Sequence, residues 1–333
     1  KGGAKKGCPI RLVGKLKSVQ ALYHLMNFKG RDILSTADLT KEDFLEIMEV
    51  TGKMEELVKK ESVSDLLSDK IIAVLFMEPS TRTRLSFETA VHRLGARPIT
   101  VSSAASSSAA KGESLADTAK TVDGYVDAIV VRQPLKGGAK IMADAAKAPV
   151  INGGDGAGQH PTQALLDMYT ILNEKGSLEK LKVAMVGDLK YGRTVHSLSY
   201  AMAPFSPKEY IYCAPDELQM PEDIVADMEK KSIPIKKTQD INEALQADII
   251  YMTRIQRERF EDPAEYERLK GSYVLNRSLV EKGNKDIVIM HPLPRVDEIA
   301  TDVDDLPNAA YFRQAHNGVY LRMALLAMIT GRA

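Results

Sequence analysis

The stretch IIAVLFMEPSTRTR, residues 71–84, decides the fold prediction for this chain. Ile71–Phe76 is an uninterrupted apolar run, which is typical of a buried strand. The polar segment Pro79–Thr83 follows it and leads into a helical pattern over Thr83–Gly95, closed by a glycine. Hydroxyl groups, free backbone N–H groups and an arginine at a helix N-terminus together favour an anion such as phosphate. An ordinary Ser/Thr helix cap beside surface arginines is the alternative interpretation.

On either side of this stretch, short apolar runs alternate with helical patterns along the chain. This alternation predicts an α/β fold of parallel sheets flanked by helices, with right-handed crossovers. Two such series, joined within residues 165–180, predict two domains, each with its own parallel β-sheet. The expected strands are Ile71–Phe76, Ala128–Val131, Val150–Ile151, Val183–Val186, Tyr210–Cys213, Ile249–Met252 and Ile287–Met290; the expected helices include Lys41–Lys60, Leu165–Leu172, Ile224–Lys231 and Gly318–Ile329.

Composition narrows the class of protein. The 333 residues are 44% hydrophobic and 27% charged, and Lys+Arg and Asp+Glu both number 45. A nucleic-acid-binding or membrane-surface protein usually shows a basic excess, so neither partner is expected. Cys8 and Cys213 have no metal-ligand spacing and imply no disulfide framework, which makes the cytoplasm the simplest compartment.

The first 25 residues are basic and contain no acid. Such a leader is compatible with a transit peptide. We favour a non-domain segment instead, because a domain-like pattern begins only after Met26.

Several residues outside the first loop have the chemistry of a ligand site. Arg132 ends an expected strand, where α/β proteins bind ligands. His160 follows the glycine-rich turn Gly153–Gly158 at the start of a helix. A solvated arginine and a structural histidine are the plainer interpretations of these two residues.

The segment Gly187–Thr194 opens a helix after a strand and nearly fits a P-loop, G-x-x-x-x-G-K-[ST]. It therefore raises a kinase-like nucleotide-binding enzyme as a rival. Asp188 would place a negative charge among the phosphates, and arginine replaces the lysine, so the fit is poor. A non-catalytic binding protein is a third hypothesis. The presence of a chemically competent residue at every candidate position argues against it.

Six segments together resemble the aspartate/ornithine carbamoyltransferase family, in the order that the family has them. The resemblance covers the chain from about Met26 to its end. The segments are FMEPSTRTRLSFETAVHRLGA (76–96), VVRQP (130–134), GQHPTQALLD (158–167), GDLKYGRTVHSL (187–198), MTRIQRERF (252–260) and HPLPRVDEIATDVD (291–304).

The resemblance implies transfer of a carbamoyl group from carbamoyl phosphate to an amino acid, without cofactor or metal. It assigns carbamoyl phosphate to residues 26–165 together with a C-terminal helix at 318–333, and the amino acid to 166–317. The implied carbamoyl-phosphate residues are Ser80, Thr81, Arg82, Thr83, Arg132, His160, Gln163 and the backbone carbonyls of Pro292 and Leu293. Of these, Arg82, Thr83, Arg132 and His160 are the implied catalytic groups.

The second substrate is expected to be L-aspartate. Its two carboxylates call for two cations, which Arg193 and Arg254 supply, whereas ornithine would need an acidic or soft partner. In the family's ornithine branch, the corresponding motif is His-Cys-Leu-Pro, whereas this chain has His291–Pro294. The product would be N-carbamoyl-L-aspartate, in the second step of de novo pyrimidine biosynthesis. Gln256 and Lys111 complete the implied aspartate site.

The resemblance further implies a homotrimer, in which Ser107 and Lys111 reach into the neighbouring subunit. A dimer of trimers with a regulatory chain is the larger alternative, although Gln133 and Leu135–Lys136 depart from the family surface that contacts it. Glu78 is expected to pair with Arg193 and Arg259 across the two domains.

Overall fold

The computed structural model describes residues 28–103, 111–156, 158–255, 260 and 262–333. The basic leader, Ser107, Gln256 and Arg259 lie outside these described residues. None of the helices in these ranges combines the length and the apolar character that a membrane span requires.

The first sheet contains four parallel strands in the order β2-β1-β3-β4. Three of its four strands begin where an apolar run predicts them, and helices alternate with the strands. The elements are α1 (Lys41–Lys60), β1 (Ile71–Phe76), α2 (Thr81–Arg93), β2 (Arg97–Val101), α3 (Leu115–Asp123), β3 (Ala128–Gln133), α4 (Gly138–Ala145), β4 (Val150–Asp155) and α5 (Pro161–Lys175).

The second sheet contains five parallel strands in the order β7-β6-β5-β8-β9. The prediction of two parallel sheets flanked by helices is therefore confirmed. The elements are β5 (Lys182–Val186), α6 (Arg193–Met202), β6 (Glu209–Cys213), α7 (Glu222–Lys230), β7 (Ile235–Thr238), α8 (Ile241–Ala244), β8 (Ile249–Met252), α9 (Pro263–Leu269), α10 (Arg277–Val280), β9 (Val288–Met290) and α11 (Tyr311–Ile329).

Two strands carry no recognisable sequence signal. β2 and β7 each lie at one edge of their sheet, and all of their residues are exposed or only partly buried. An edge strand of this kind needs no apolar run, so the sequence pattern that finds a buried strand is absent from both.

The last helix is longer than its apolar pattern predicts. α11 begins at Tyr311, so the expected start at Gly318 is wrong by two turns. Its first turns carry polar residues that are nonetheless buried, which interrupts the apolar pattern. The helix packs on α1, α2 and α5, and it also contacts β9.

In each parallel sheet, the side on which successive strands are added changes at a specific pair of neighbouring strands. β1 lies between β2 and β3, and β5 lies between β6 and β8. In open α/β sheets, ligands bind at the carboxyl ends of such strand pairs, where the loops diverge. At these ends Phe76 is paired with Arg132, and Val186 with Met252.

Candidate active site

A cavity of about 540 Å³ lies between the loops at these two strand ends. Both sheets and the C-terminal helix contribute to its wall. Among the described residues its lining includes Glu78, Ser80, Thr81, Arg82, Thr83, Arg132, His160, Gln163, Asp188, Tyr191, Arg193, Thr194, Thr253, Arg254, His291, Pro292, Leu293, Gln314 and Arg322.

The N-terminus of α2 forms one wall of the cavity. Ser80 is its N-cap residue, yet its side chain makes no capping hydrogen bond to the helix. No acidic residue lies in the first turn, so the positive end of the helix dipole is not neutralised there. Burial and the charge of Arg132 lower the pKa of Arg82. This end of the helix is suited to an anion.

Arg132 is buried at the end of β3 and is held on two sides. Its Nη1 donates to the Gly153 carbonyl at 3.1 Å, and its Nη2 to Glu78 Oε1 at 3.3 Å. A Cβ atom on Gly154 would lie 2.9 Å from Nη1, and φ there is +119°, so only glycine lets the guanidinium approach this turn. The Nε of Arg132 has no partner among the described residues.

His160 precedes α5 and is buried against the same group of cations. Burial lowers its pKa well below the ordinary value, and the charges of Arg132, Arg193 and Arg322 lower it further. The imidazole is therefore neutral at neutral pH and carries one N–H. Its Nδ1 has no partner within the described part of the chain.

The loop after β5 supplies the second domain's side of the cavity. Gly187 has φ +111°, and a Cβ there would lie 2.4 Å from the Thr253 carbonyl oxygen. Asp188 is buried and accepts the Tyr191 N–H at 2.9 Å, while its own N–H donates to Thr253 Oγ1. A loop folded around its own carboxylate disfavours a polyphosphate, which weakens the P-loop interpretation.

Arg193 follows this loop as the first residue of α6, and its Nη1 donates to the carbonyl of Gly156 in the first domain. Arg254 follows β8 at the neighbouring strand end and also lines the cavity. The two arginines thus enter from adjacent strand ends of the second sheet, as the sequence pattern predicts for a ligand site.

The loop after β9 is fixed by a buried pair. His291 Nε2 lies 2.6 Å from Glu298 Oε1, and the Leu293 N–H donates to His291 Nδ1 at 2.8 Å. Burial alone would raise the pKa of Glu298, but the imidazole and the N–H groups of Val296 and Glu298 itself lower it to about 2. The pair holds Pro292 and Leu293 at the cavity wall.

Sequence reasoning missed two cavity residues on the C-terminal helix. Gln314 and Arg322 are both buried, and both face the cavity. Arg322 donates to Ser86 Oγ at 3.0 Å and to Thr162 Oγ1 at 3.3 Å, which ties α11 to α2 and α5. Two polar residues eight positions apart on one face of an apolar helix are the signal that could have identified them.

Lys111 is exposed and does not line the cavity of its own chain. No group of three or more His, Cys, Asp or Glu residues that could hold a metal ion occurs in the described residues. Five arginines and only two carboxylates line the described cavity, namely Arg82, Arg132, Arg193, Arg254 and Arg322 against Glu78 and Asp188.

Together these features define a two-domain α/β protein with an anion-binding cleft between its sheets. Two family descriptions match the chain: "Aspartate/ornithine carbamoyltransferase, carbamoyl-P binding domain" over residues 31–173, and the "Asp/Orn binding domain" of the same family over 179–329. The chain belongs to the aspartate/ornithine carbamoyltransferase family.

Individual relatives agree with this assignment. The aspartate carbamoyltransferase catalytic subunit of Methanopyrus kandleri is 50% identical over 92% of this chain and 99% of its own length. The solved catalytic subunit of M. jannaschii aspartate transcarbamoylase has 51% identity and a TM-score of 0.84, covering 89% of this chain and 96% of that one. The Trypanosoma cruzi enzyme in complex with carbamoyl phosphate and aspartate has 38% identity and a TM-score of 0.86, covering 92% and 98%.

Proposed function

We propose that this chain transfers the carbamoyl group of carbamoyl phosphate to the α-amine of L-aspartate, releasing N-carbamoyl-L-aspartate and phosphate. One observation carries the proposal: Arg82, Arg132 and a neutral His160 share a single cavity with Arg193 and Arg254. Such a cavity suits a phosphorylated carbonyl compound at one end and a dicarboxylate at the other. The names of the relatives support the same reaction, which belongs to de novo pyrimidine biosynthesis.

The phosphate of carbamoyl phosphate would lie at the N-terminus of α2. Ser80, Thr81, Arg82 and Thr83 would donate to its oxygens through hydroxyl, backbone and guanidinium groups. The Ser80 hydroxyl makes no cap to its helix, so it can serve the ligand. The helix dipole adds to this binding because its positive end faces the anion.

The chemical step would need proximity and charge stabilisation. The α-amine attacks the carbonyl carbon, negative charge grows on the carbonyl oxygen, and the bond to phosphate breaks. Thr83, Arg132 and His160 would donate to that oxygen, and His160 can do so as a neutral imidazole. The leaving phosphate can take the amine proton, so the step requires no protein base.

The carbamoyl nitrogen and L-aspartate would be bound by further residues. Gln163 and the carbonyls of Pro292 and Leu293 would accept hydrogen bonds from the carbamoyl nitrogen. Arg193 and Arg254 would bind the two carboxylates of aspartate, with Gln256 and Lys111 completing the site.

Phosphate release from carbamoyl phosphate, measured without ATP, tests the function. We expect release to depend on L-aspartate, to match carbamoyl-aspartate formation one to one, and to be much slower with L-ornithine. Absence of aspartate-dependent release by correctly folded protein would refute the proposal. Faster turnover with ornithine would refute the choice of acceptor.

The organisation of the protein is part of the proposal. Residues 26–165 with the C-terminal helix would bind carbamoyl phosphate, and residues 166–317 would bind aspartate. The packing of α11 on α1, α2 and α5 supports placing that helix in the first unit.

We further propose a cytoplasmic homotrimer in which Ser107 and Lys111 enter the neighbouring site, and the exposure of Lys111 is compatible with this. A dimer of trimers with a regulatory chain is the larger form to test.

A further inference from the structure

A fully buried carboxylate lies directly behind the cavity. Asp167, on α5, accepts three hydrogen bonds from three different elements. Its Oδ1 accepts from Gln163 Nε2 at 2.8 Å and from Gln314 Nε2 at 2.6 Å, and its Oδ2 accepts from the Tyr251 hydroxyl at 2.8 Å. Gln163 and Gln314 line the cavity, whereas Asp167 does not.

The backbone N–H of His291 fixes the direction of the hydrogen bonds in this group. The backbone N–H of His291 can only donate, and it donates to Gln314 Oε1 at 2.9 Å. The other arm of the Gln314 amide, its NH₂ group, must then face Asp167. An ionised carboxylate only accepts, so Gln163 also turns its NH₂ group towards Asp167. The Oε1 of Gln163 is the arm that remains for the cavity.

We propose that Asp167 is a positioning residue that fixes the Gln163 amide with its oxygen towards the ligand. The inference deepens the proposed function and rests on it: Gln163 Oε1 would accept an N–H of the carbamoyl group. The arginines, hydroxyls and imidazole of the cavity serve ligand oxygens as donors. An oriented acceptor among them selects a ligand that carries NH₂ at one position.

Acetyl phosphate is the matching probe, because it has a methyl group where carbamoyl phosphate has NH₂. A site built to pair with an N–H rejects an analogue without it, since its own polar group is left unpaired. The measured quantity is the selectivity ratio, defined as the inhibition constant of acetyl phosphate divided by the KM of carbamoyl phosphate. Assays at pH 8 keep Asp167 ionised, because burial raises its pKa to about 7.

We expect Asp167→Ala to lower the selectivity ratio at least about ten-fold, since Gln163 can then turn either arm to the ligand. Asp167→Asn should keep the ratio within about three-fold, because Gln314 still demands an acceptor and holds the Asn oxygen in place. Asn317→Ala is the matched control: it removes a buried 2.9 Å bond between α11 and Thr170 of α5 without touching these amides. A folded Asp167→Ala protein with the parental ratio would overturn the inference, as would an Asn variant that behaves like Ala.

A second pair of variants covers the case in which Asp167→Ala does not fold. Gln314→Leu alone should keep the ratio, because a carboxylate can only accept. The double variant Gln314→Leu/Asp167→Asn should have a lowered selectivity ratio, because the Asn carboxamide can then turn its nitrogen towards Gln163. An unchanged ratio in the double variant would overturn the inference. Failure of the proposed function looks different, since the unmutated protein would then show no aspartate-dependent phosphate release.

Discussion

Arg132 Nη2 lies 3.3 Å from Glu78 Oε1, so the loop that opens the anion site also holds the cation at the end of the neighbouring strand. The side chain of Arg132 is nearly buried, whereas that of Glu78 is partly exposed. The family resemblance predicts Arg193 and Arg259 as partners for Glu78. Arg259 lies outside the described residues, and the salt bridge that the structure gives for Glu78 joins it to Arg132 within the first domain.

Glu78→Gln should lower kcat/KM for carbamoyl phosphate about ten-fold, because loss of this carboxylate lets the guanidinium move from its working position. The KM for aspartate should change less. Steady-state kinetics with each substrate varied in turn will measure this. Equal loss for both substrates would instead support the interdomain role first suggested by the sequence.

Arg82→Ala should reduce kcat at least about one hundred-fold, because a charge-assisted contact to the transferring group is lost. The melting temperature should stay close to that of the parent. Arg84→Ala is the control on the same helix: Arg84 lies 3.9 Å from Glu88 and does not line the cavity. Near-parental turnover in Arg82→Ala would show that the phosphate site lies elsewhere.

Arg254→Ala should raise the KM for aspartate at least about ten-fold, because one of two carboxylate partners is removed. The affinity for carbamoyl phosphate should remain nearly unchanged. Arg268→Ala, which removes a surface partner of Glu217, is the control and should change neither constant. An equal loss of affinity for both substrates would contradict the assignment of Arg254 to the aspartate site.

Shared active sites can be tested by mixing two inactive variants, Arg82→Ala and Lys111→Ala. If Lys111 acts in the neighbouring subunit of a cyclic trimer, every mixed trimer contains one intact site. Equal random mixing then restores about a quarter of the parental activity, since about three quarters of the trimers are mixed. The variants are refolded together and assayed for carbamoyl-aspartate. Confirmed mixed trimers without recovered activity would rule out a shared site.

The stability of the protein should depend on the ionisation of Asp167. Burial raises its pKa from 3.8 to about 7. Because the folded-state value lies above the unfolded one, this group's contribution to stability is full below about pH 4 and is lost as the pH rises to about 7. Tyr251 and Arg322 face the carboxylate but do not titrate in this range. Burial raises the pKa of Tyr251 well above its ordinary value, and it lowers the pKa of Arg322 only to about 9.

In Asp167→Asn the side chain at this position cannot ionise. The melting temperature of the variant minus that of the parent should therefore increase by a few degrees between pH 5 and pH 8. Thermal unfolding at both pH values measures the effect. For Asn317→Ala, the difference from the parent should be the same at both. A pH-independent difference for Asp167→Asn would show that the carboxylate does not titrate in this range.

Local sequence determined much of this protein. The bounds of β1 and β8 coincide with their apolar runs, and the anion-binding turn follows β1 where the hydroxyl groups and Arg82 predict it. A strand covered on both faces usually reads as an apolar run, and a helix N-terminus exposes its N–H groups wherever it occurs. Both properties depend on neighbouring residues, so they can be read without the fold.

Tertiary structure decided what cannot be read locally. The edge strands β2 and β7 exist because a neighbouring strand pairs with them, not because they bury side chains. Gln314 lies 147 positions from Asp167 in sequence, yet the amide and the carboxylate are 2.6 Å apart. Orientation of an amide depends on which groups surround it in space. The chain supplies the donors and acceptors, but only the packing of α11 against α5 and β9 determines which of them meet.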